Sequence, residues 1–173
     1  MKKILSLMMG AVMLLSFTAC GQKEEPKPQT PAPEQSVQIG NPYVTCQDAM
    51  EMQKEAQLEV SLPQSLPEWV TETIYRAMPG KLVEVIYQGG DNEIRVRIAN
   101  GSEDISGVYG TDAQEKKDLS VGENTIHASG VTQDGGVFLV YLTTWTDDGR
   151  TYSVSSTEGV PEEELLPVLE AIK

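Results

Sequence analysis

Residues 81–99 read KLVEVIYQGGDNEIRVRIA, and the reading of this stretch decides the fold. Two runs rich in apolar and β-branched residues, Lys81–Gln88 and Glu93–Ala99, flank Gly89-Gly90-Asp91-Asn92, a loop of hairpin length. In the second run Ile94, Val96 and Ile98 alternate with Glu93, Arg95 and Arg97, the period of a strand buried on one face. Placing Gln88 opposite Glu93 pairs Tyr87 with Ile94, Val85 with Val96 and Val83 with Ile98. The other face then pairs Ile86 with Arg95 and Glu84 with Arg97. A slip of one residue would exchange the two faces and lose this sorting. The apolar face is expected to bury against helices, at about 1.5–3 kcal/mol for each Val or Ile. The Glu84–Arg97 pair is expected on the solvent side, worth only ~0.2–1 kcal/mol.

Outward from this hairpin the same period recurs. Glu115–Val121 and Thr125–Val131 flank Gly122-Glu123-Asn124, and Val137–Trp145 and Arg150–Ser156 flank Thr146-Asp147-Asp148-Gly149. Met78-Pro79-Gly80-Lys81 places Pro and Gly where a type II turn needs them. Connections this short predict an antiparallel meander. Phe138 and Tyr141 fall on opposite faces of one run, so that strand is expected at the centre. Helices would cover one side, and the sheet would curl over itself on the other. Ahead of the strands, Thr45 and Asp48 resemble a capping box, and Ala49, Met52 and Ala56 recur at helical spacing, so a helix is predicted from about Cys46 to Gln57. Residues 61–67, SLPQSLP, are extended, because each proline biases its predecessor away from the helix. A closing helix is predicted over Pro161–Lys173. Its first turn carries Glu162, Glu163 and Glu164 at the positive end of the dipole, and Leu165, Val168, Leu169 and Ile172 form one apolar face. Pro167 near its start removes one backbone donor. The expected fold is α+β: an antiparallel meander sheet of about six to seven strands with an N-terminal and a C-terminal helix packed on one face.

The chain has 173 residues, with 13 Lys and Arg against 26 Asp and Glu, a formal net charge of −13. So acidic a chain repels phosphate backbones, which argues against nucleic-acid binding. At 39% apolar and 23% charged it has the composition of a globular domain.

Residues 1–19 read as an export signal: Lys2 and Lys3, then an apolar run from Ile4 to Phe17 that is short for a bilayer span. The run ends at Ser16-Phe17-Thr18-Ala19-Cys20-Gly21. Small residues just before a Cys resemble the lipobox of bacterial lipoproteins, although Phe17 stands where Leu is usual. The resemblance implies a diacylglyceryl group on the Cys20 sulfur and cleavage that leaves Cys20 as the new N-terminus. Two acyl chains hold a protein on a membrane without a basic patch, at roughly 0.8 kcal/mol per buried CH₂. Gly21–Gln35, GQKEEPKPQTPAPEQ, has four prolines, five charges and no large apolar residue, and is expected to be an extended tether. At about 3.1 Å per residue it would reach up to ~45 Å from the lipid. The expected organisation is therefore signal 1–19, lipidated Cys and tether 20–35, and one α+β domain over 36–173.

Within the domain, ordered phrases carry a further resemblance: Asn41-Pro42-Tyr43-Val44, Leu58-Glu59-Val60-Ser61-Leu62-Pro63, Val85-Ile86-Tyr87, Glu93-Ile94-Arg95-Val96-Arg97, 101–107 GSEDISG, Thr144-Trp145-Thr146-Asp147 and Glu162-Glu163-Glu164-Leu165-Leu166. The chain resembles a family of small Gram-positive lipoproteins whose globular part is a catalogued domain of unknown function. Similar domains also form the outer ends of some anti-sigma-factor-like membrane proteins. The resemblance covers most of residues 40–173. It implies an α+β fold in an extracytoplasmic lipoprotein and brings no catalytic residue.

Catalytic chemistry is not signalled. His127 is the one imidazole, beside Ser129 on a predicted strand, without a G-x-S-x-G elbow or an evident third member of a triad. With Cys20 alkylated, Cys46 is the remaining thiol. At a helix start it would be either an activated thiolate or a small, half-buried packing residue. The acidic loops Gly89–Asn92, Asp134-Gly135-Gly136 and Asp147-Asp148-Gly149 lack calcium-loop spacing and read as turns. Gly89, Gly90, Gly101 and Gly107 form no phosphate loop. Trp145, at a strand end, is either a lid on the core or a ligand platform. The expectation is a lipid-anchored binding or sensing module facing outside the cytoplasm, non-enzymatic, with no cofactor or metal and no catalytic residue. Its partners would be the membrane, through the lipid on Cys20, and an unidentified protein or small molecule. The alternatives are a small carboxylate-dependent enzyme, and an interaction or inhibitor protein presenting its sheet.

Overall fold

The computed structural model describes residues 41–110 and 114–173. In chain order the elements are β1 (Val44–Cys46), α1 (Ala49–Ala56), β2 (Glu72–Met78), β3 (Leu82–Gly89), β4 (Asn92–Asn100), β5 (Glu115–Val121), β6 (Asn124–Thr132), β7 (Phe138–Asp147), β8 (Arg150–Pro161) and α2 (Glu162–Ala171). The eight strands form one open antiparallel sheet in the order β1-β2-β3-β4-β8-β7-β6-β5. No described helix is long and apolar enough to cross a membrane.

The β3–β4 register is the one that face-sorting demands: Gln88 opposite Glu93, Val85 opposite Val96, Glu84 opposite Arg97. Val83, Val85, Tyr87, Ile94, Val96 and Ile98 are all buried. They join Met52 and Ala56 of α1 and Leu165, Val168 and Leu169 of α2 in one hydrophobic cluster. Gly80, at φ +65°, closes the β2–β3 turn, and Lys81 N–H donates to Met78 O at 3.0 Å. Its positive φ is why that turn needs Gly.

Three expectations need correction. The sheet has eight strands, not six to seven: β1 takes Cys46 from the expected start of the first helix, and β2 precedes the Met78–Lys81 turn. β1 is only three residues long, too short to show a strand period. Helix α1 begins later than expected because its cap is Asp48. Asp48 Oδ1 accepts from Glu51 N–H at 2.8 Å, and Glu51 Oε2 accepts from Gln47 N–H at 2.6 Å. This is a capping box shifted by three residues, which leaves Thr45 and Cys46 in β1. Third, the sheet is not a simple meander and does not curl over itself. β1–β4 and β5–β8 are each meanders, but they are joined by β8 pairing with β4. β5 therefore lies at the far edge, and the connection after Asn100 has to travel past β8, β7 and β6. β8 reaches this central place because Tyr152 and Val154 extend the apolar face of β4, opposite Ile98 and Val96.

Candidate functional site: a polar sheet face under a strap

Side chains alternate along each strand, so the face turned away from the helices carries the other half of each strand sequence. One row of partners crosses all eight strands on this face: Thr45, Arg76, Glu84, Arg97, Ser153, Thr144, His127 and Asp118. Every member is polar. Neighbouring positions on the same face hold buried Leu82, Ile86 and Leu142, so the polar character belongs to this row, which offers groups for water, ions or a polar ligand.

The first half of the row is an ionic network around Glu84, whose side chain is 0% exposed. Arg97 Nε–H donates to Glu84 Oε2 at 2.7 Å. Arg76 Nη1 lies 3.1 Å from Oε1 without hydrogen-bond alignment, and Arg95 Nη1 lies 3.8 Å from Oε2. Arg95 Nη2 also holds Glu93 Oε1 at 2.7 Å. The Tyr43 ring lies over Arg76, 4.6 Å from the guanidinium, and more distantly over Arg97. Burial raises the Tyr43 phenol pKa, while the Arg97 charge works against that rise. The expectation of an exposed Glu84–Arg97 pair is thus corrected. The pairing is right, but three guanidinium groups and the following loop enclose the carboxylate, which no pairwise register reveals.

Arg97 also reaches beyond the network. Its Nη1 donates to Ile105 O at 3.0 Å and Ser106 O at 2.5 Å, and so fixes the connection that leaves β4. Thr151 Oγ1 donates to Gly101 O at 2.6 Å and fixes its start. Gly107, at φ +62°, passes so close that a Cβ there would sit 2.5 Å from Arg97 Nη1. Asp104 Oδ1 accepts from Ser106 N–H at 2.8 Å, and that bond, with one from the Ser106 side chain, holds the carboxyl pKa below its usual range. Residues 101–108 are therefore a strap over the polar face. Between the strap and strands β5–β8 lies a cleft of ≈ 740 Å³. Its walls include Ser102, Thr125, His127, Ser129, Thr144 and Thr146.

The residues singled out from sequence are scattered. Cys20 and the signal and tether, 1–35, lie outside the described residues. His127 is in the cleft wall, its Nδ1 2.7 Å from Asp118 Oδ1, but both side chains are mostly exposed. Such a pair contributes ~0–1 kcal/mol. Ser129 is not coupled to His127. Its Oγ accepts from Lys116 Nζ at 2.7 Å. Cys46 is buried in β1, not at a helix start, and burial, followed by the charges of Glu51, Glu55 and Asp48, raises its thiol pKa. This removes the activated-thiolate alternative. Trp145 stacks on Tyr152 at 4.9 Å, with 5° between ring planes, and packs on the core, as a lid does. Its edge still reaches the cleft. Asp148 and Gly149 both have positive φ, at 46° and 74°, so that acidic loop is hairpin-turn chemistry. Among the described residues no three His, Cys, Asp or Glu side chains converge to hold a metal.

Sequence reasoning missed the cleft, although part of its signal was present. Thr144 and Thr146 alternate with Thr143 and Trp145, and Thr151, Ser153 and Ser155 alternate with Tyr152 and Val154. That is a hydroxyl face at period two. No protein-family model, curated protein or solved structure matches the chain.

Proposed function

We propose that this chain is a lipid-anchored binding module facing outside the cytoplasm, held to the membrane through Cys20, which takes a polar ligand in the cleft beneath the strap. One observation carries the binding part. The polar row is clamped under residues 101–108 at one end and opens at the other into a cleft. There Ser102, Thr125, Thr144 and Thr146 make no side-chain hydrogen bond among the described residues. A preorganised concave surface with unspent donors and acceptors is what a small-ligand site requires. The same wall supports binding over catalysis in one respect: His127 faces Asp118, and no nucleophile is hydrogen-bonded to it among the described residues. The lipobox at Cys20 and the resemblance to extracytoplasmic lipoproteins support the location.

The test is to titrate the full-length chain with soluble extract of the cell surface and follow backbone amide resonances. Saturable shifts at residues 125–129 and 142–146 are expected. Shifts confined to the helix side or the sheet edges would overturn the cleft as the site.

A further inference from the structure

We infer that the ligand of the cleft is an uncharged saccharide chain, recognised by hydroxyl groups and not by ionic pairing; this rests on the cleft being the binding site. Most of the charged groups around the cleft are already engaged, the strap carboxylate Glu103 being the exception and one that disfavours an anionic occupant. Asp118 holds His127, Asp104 is bonded to Ser106, Lys116 is held by Ser129, and Lys117 pairs with Glu162. What remains unspent is mainly neutral: the hydroxyls of Ser102 on the strap, Thr125 on β6, and Thr144 and Thr146 on β7. Each supplies one donor and two acceptor positions, the same set that a sugar hydroxyl presents. Leu142, on the same face as Thr144, adds a small apolar surface suited to the C–H face of a pyranose ring. The wall holds carboxylates and amines in similar number, so it does not select for net charge, unlike the acidic chain as a whole.

A peptide is the competing occupant, and the topology disfavours it. Extended peptides bind sheets through backbone hydrogen bonds along an exposed edge. This cleft lies on the sheet face, where the backbone groups of β6, β7 and β8 are paired with neighbouring strands. On these three strands only side chains are offered to an occupant.

The probe is a soluble N-acetylglucosamine tetramer, with an uncharged Gly/Ser tetrapeptide as comparison, each titrated into the full-length chain while amide and Thr methyl resonances are followed. Saturable shifts with the saccharide at Thr125, Thr144 and Thr146 are expected. Thr144→Val, which keeps the shape and removes the hydroxyl, should weaken binding about three- to tenfold, the loss of one neutral hydrogen bond. Cleft shifts with the peptide alone would overturn the saccharide inference and leave the cleft as a binding site. No cleft shift with either probe, while surface extract still shifts those residues, would also overturn it. Unchanged affinity in Thr144→Val would refute recognition by hydroxyls.

Discussion

Replacing Glu84 by Gln should be among the most damaging single changes in this domain, although the shape of the side chain is kept. Glu84 is fully buried and is the anion shared by Arg76, Arg95 and Arg97. The amide would leave three guanidinium groups converging without that charge. Removing one partner of a buried ion pair costs about 3–5 kcal/mol. Arg76 and Arg95 keep 23% and 29% of their side-chain surface exposed and can be partly rehydrated, so the lower end, about 3 kcal/mol, is expected. Val96→Ala at a site 1% exposed should cost about 1–3 kcal/mol from lost burial and the residual cavity. Arg97→Ala should match or exceed it, since it removes the Glu84 bond and both strap bonds together. Urea unfolding at constant m-value measures the three losses. Thermal midpoints should fall by roughly 3–5 °C for each kcal/mol in a domain of this size. Amide hydrogen exchange supplies a second readout: Glu84→Gln should speed exchange around Ser106 and Val108, because Arg97 loses the group that aims it. Gly107→Ala should loosen the same segment with all charges intact, through its clash with Arg97 Nη1. A Glu84→Gln cost under about 1 kcal/mol, with strap exchange unchanged, would refute the reasoning and return the pair to an ordinary surface value.

Three further outcomes are expected. Cys20→Ser should abolish incorporation of labelled fatty acid into the chain and block cleavage before residue 20; normal labelling and processing would refute the anchor. Cys46 should react with a thiol reagent at pH 8 far more slowly in the native chain than in urea, since burial and three nearby acids disfavour its thiolate; equal rates would contradict its place in β1. Burial raises the phenol pKa values of Tyr43 and Tyr87, so the native state holds those protons more tightly than the unfolded chain. Their contribution to stability is therefore complete below pH 10 and is lost as pH rises through the raised values. Phenolate absorbance should show late-ionising groups that appear together with unfolding, and ionisation of every tyrosine near pH 10 in a folded chain would exclude this.

The β3–β4 register was readable from 19 residues because face-sorting is a local constraint: a one-residue slip would bury Arg95 and Arg97 and expose Ile94 and Val96. The apolar face of α2 and the strand character of six segments were legible for the same reason, as periodicity is written into neighbouring residues. The lipobox is likewise local, and its reading rests on the sequence alone. What only the tertiary structure decided is long-range. β8 pairing with β4 brings Ser153 beside Arg97, 56 positions apart in the numbering, and completes the polar row. That pairing sends β5 to the far edge and draws residues 101–108 across the polar face. It also turns Glu84 from an expected surface charge into a fully buried one. Sequence periodicity states which residues share a face, but not which strands are neighbours. Strand order is set by the apolar surface a whole sheet can bury, so the cleft and its strap exist only once all eight strands have been arranged.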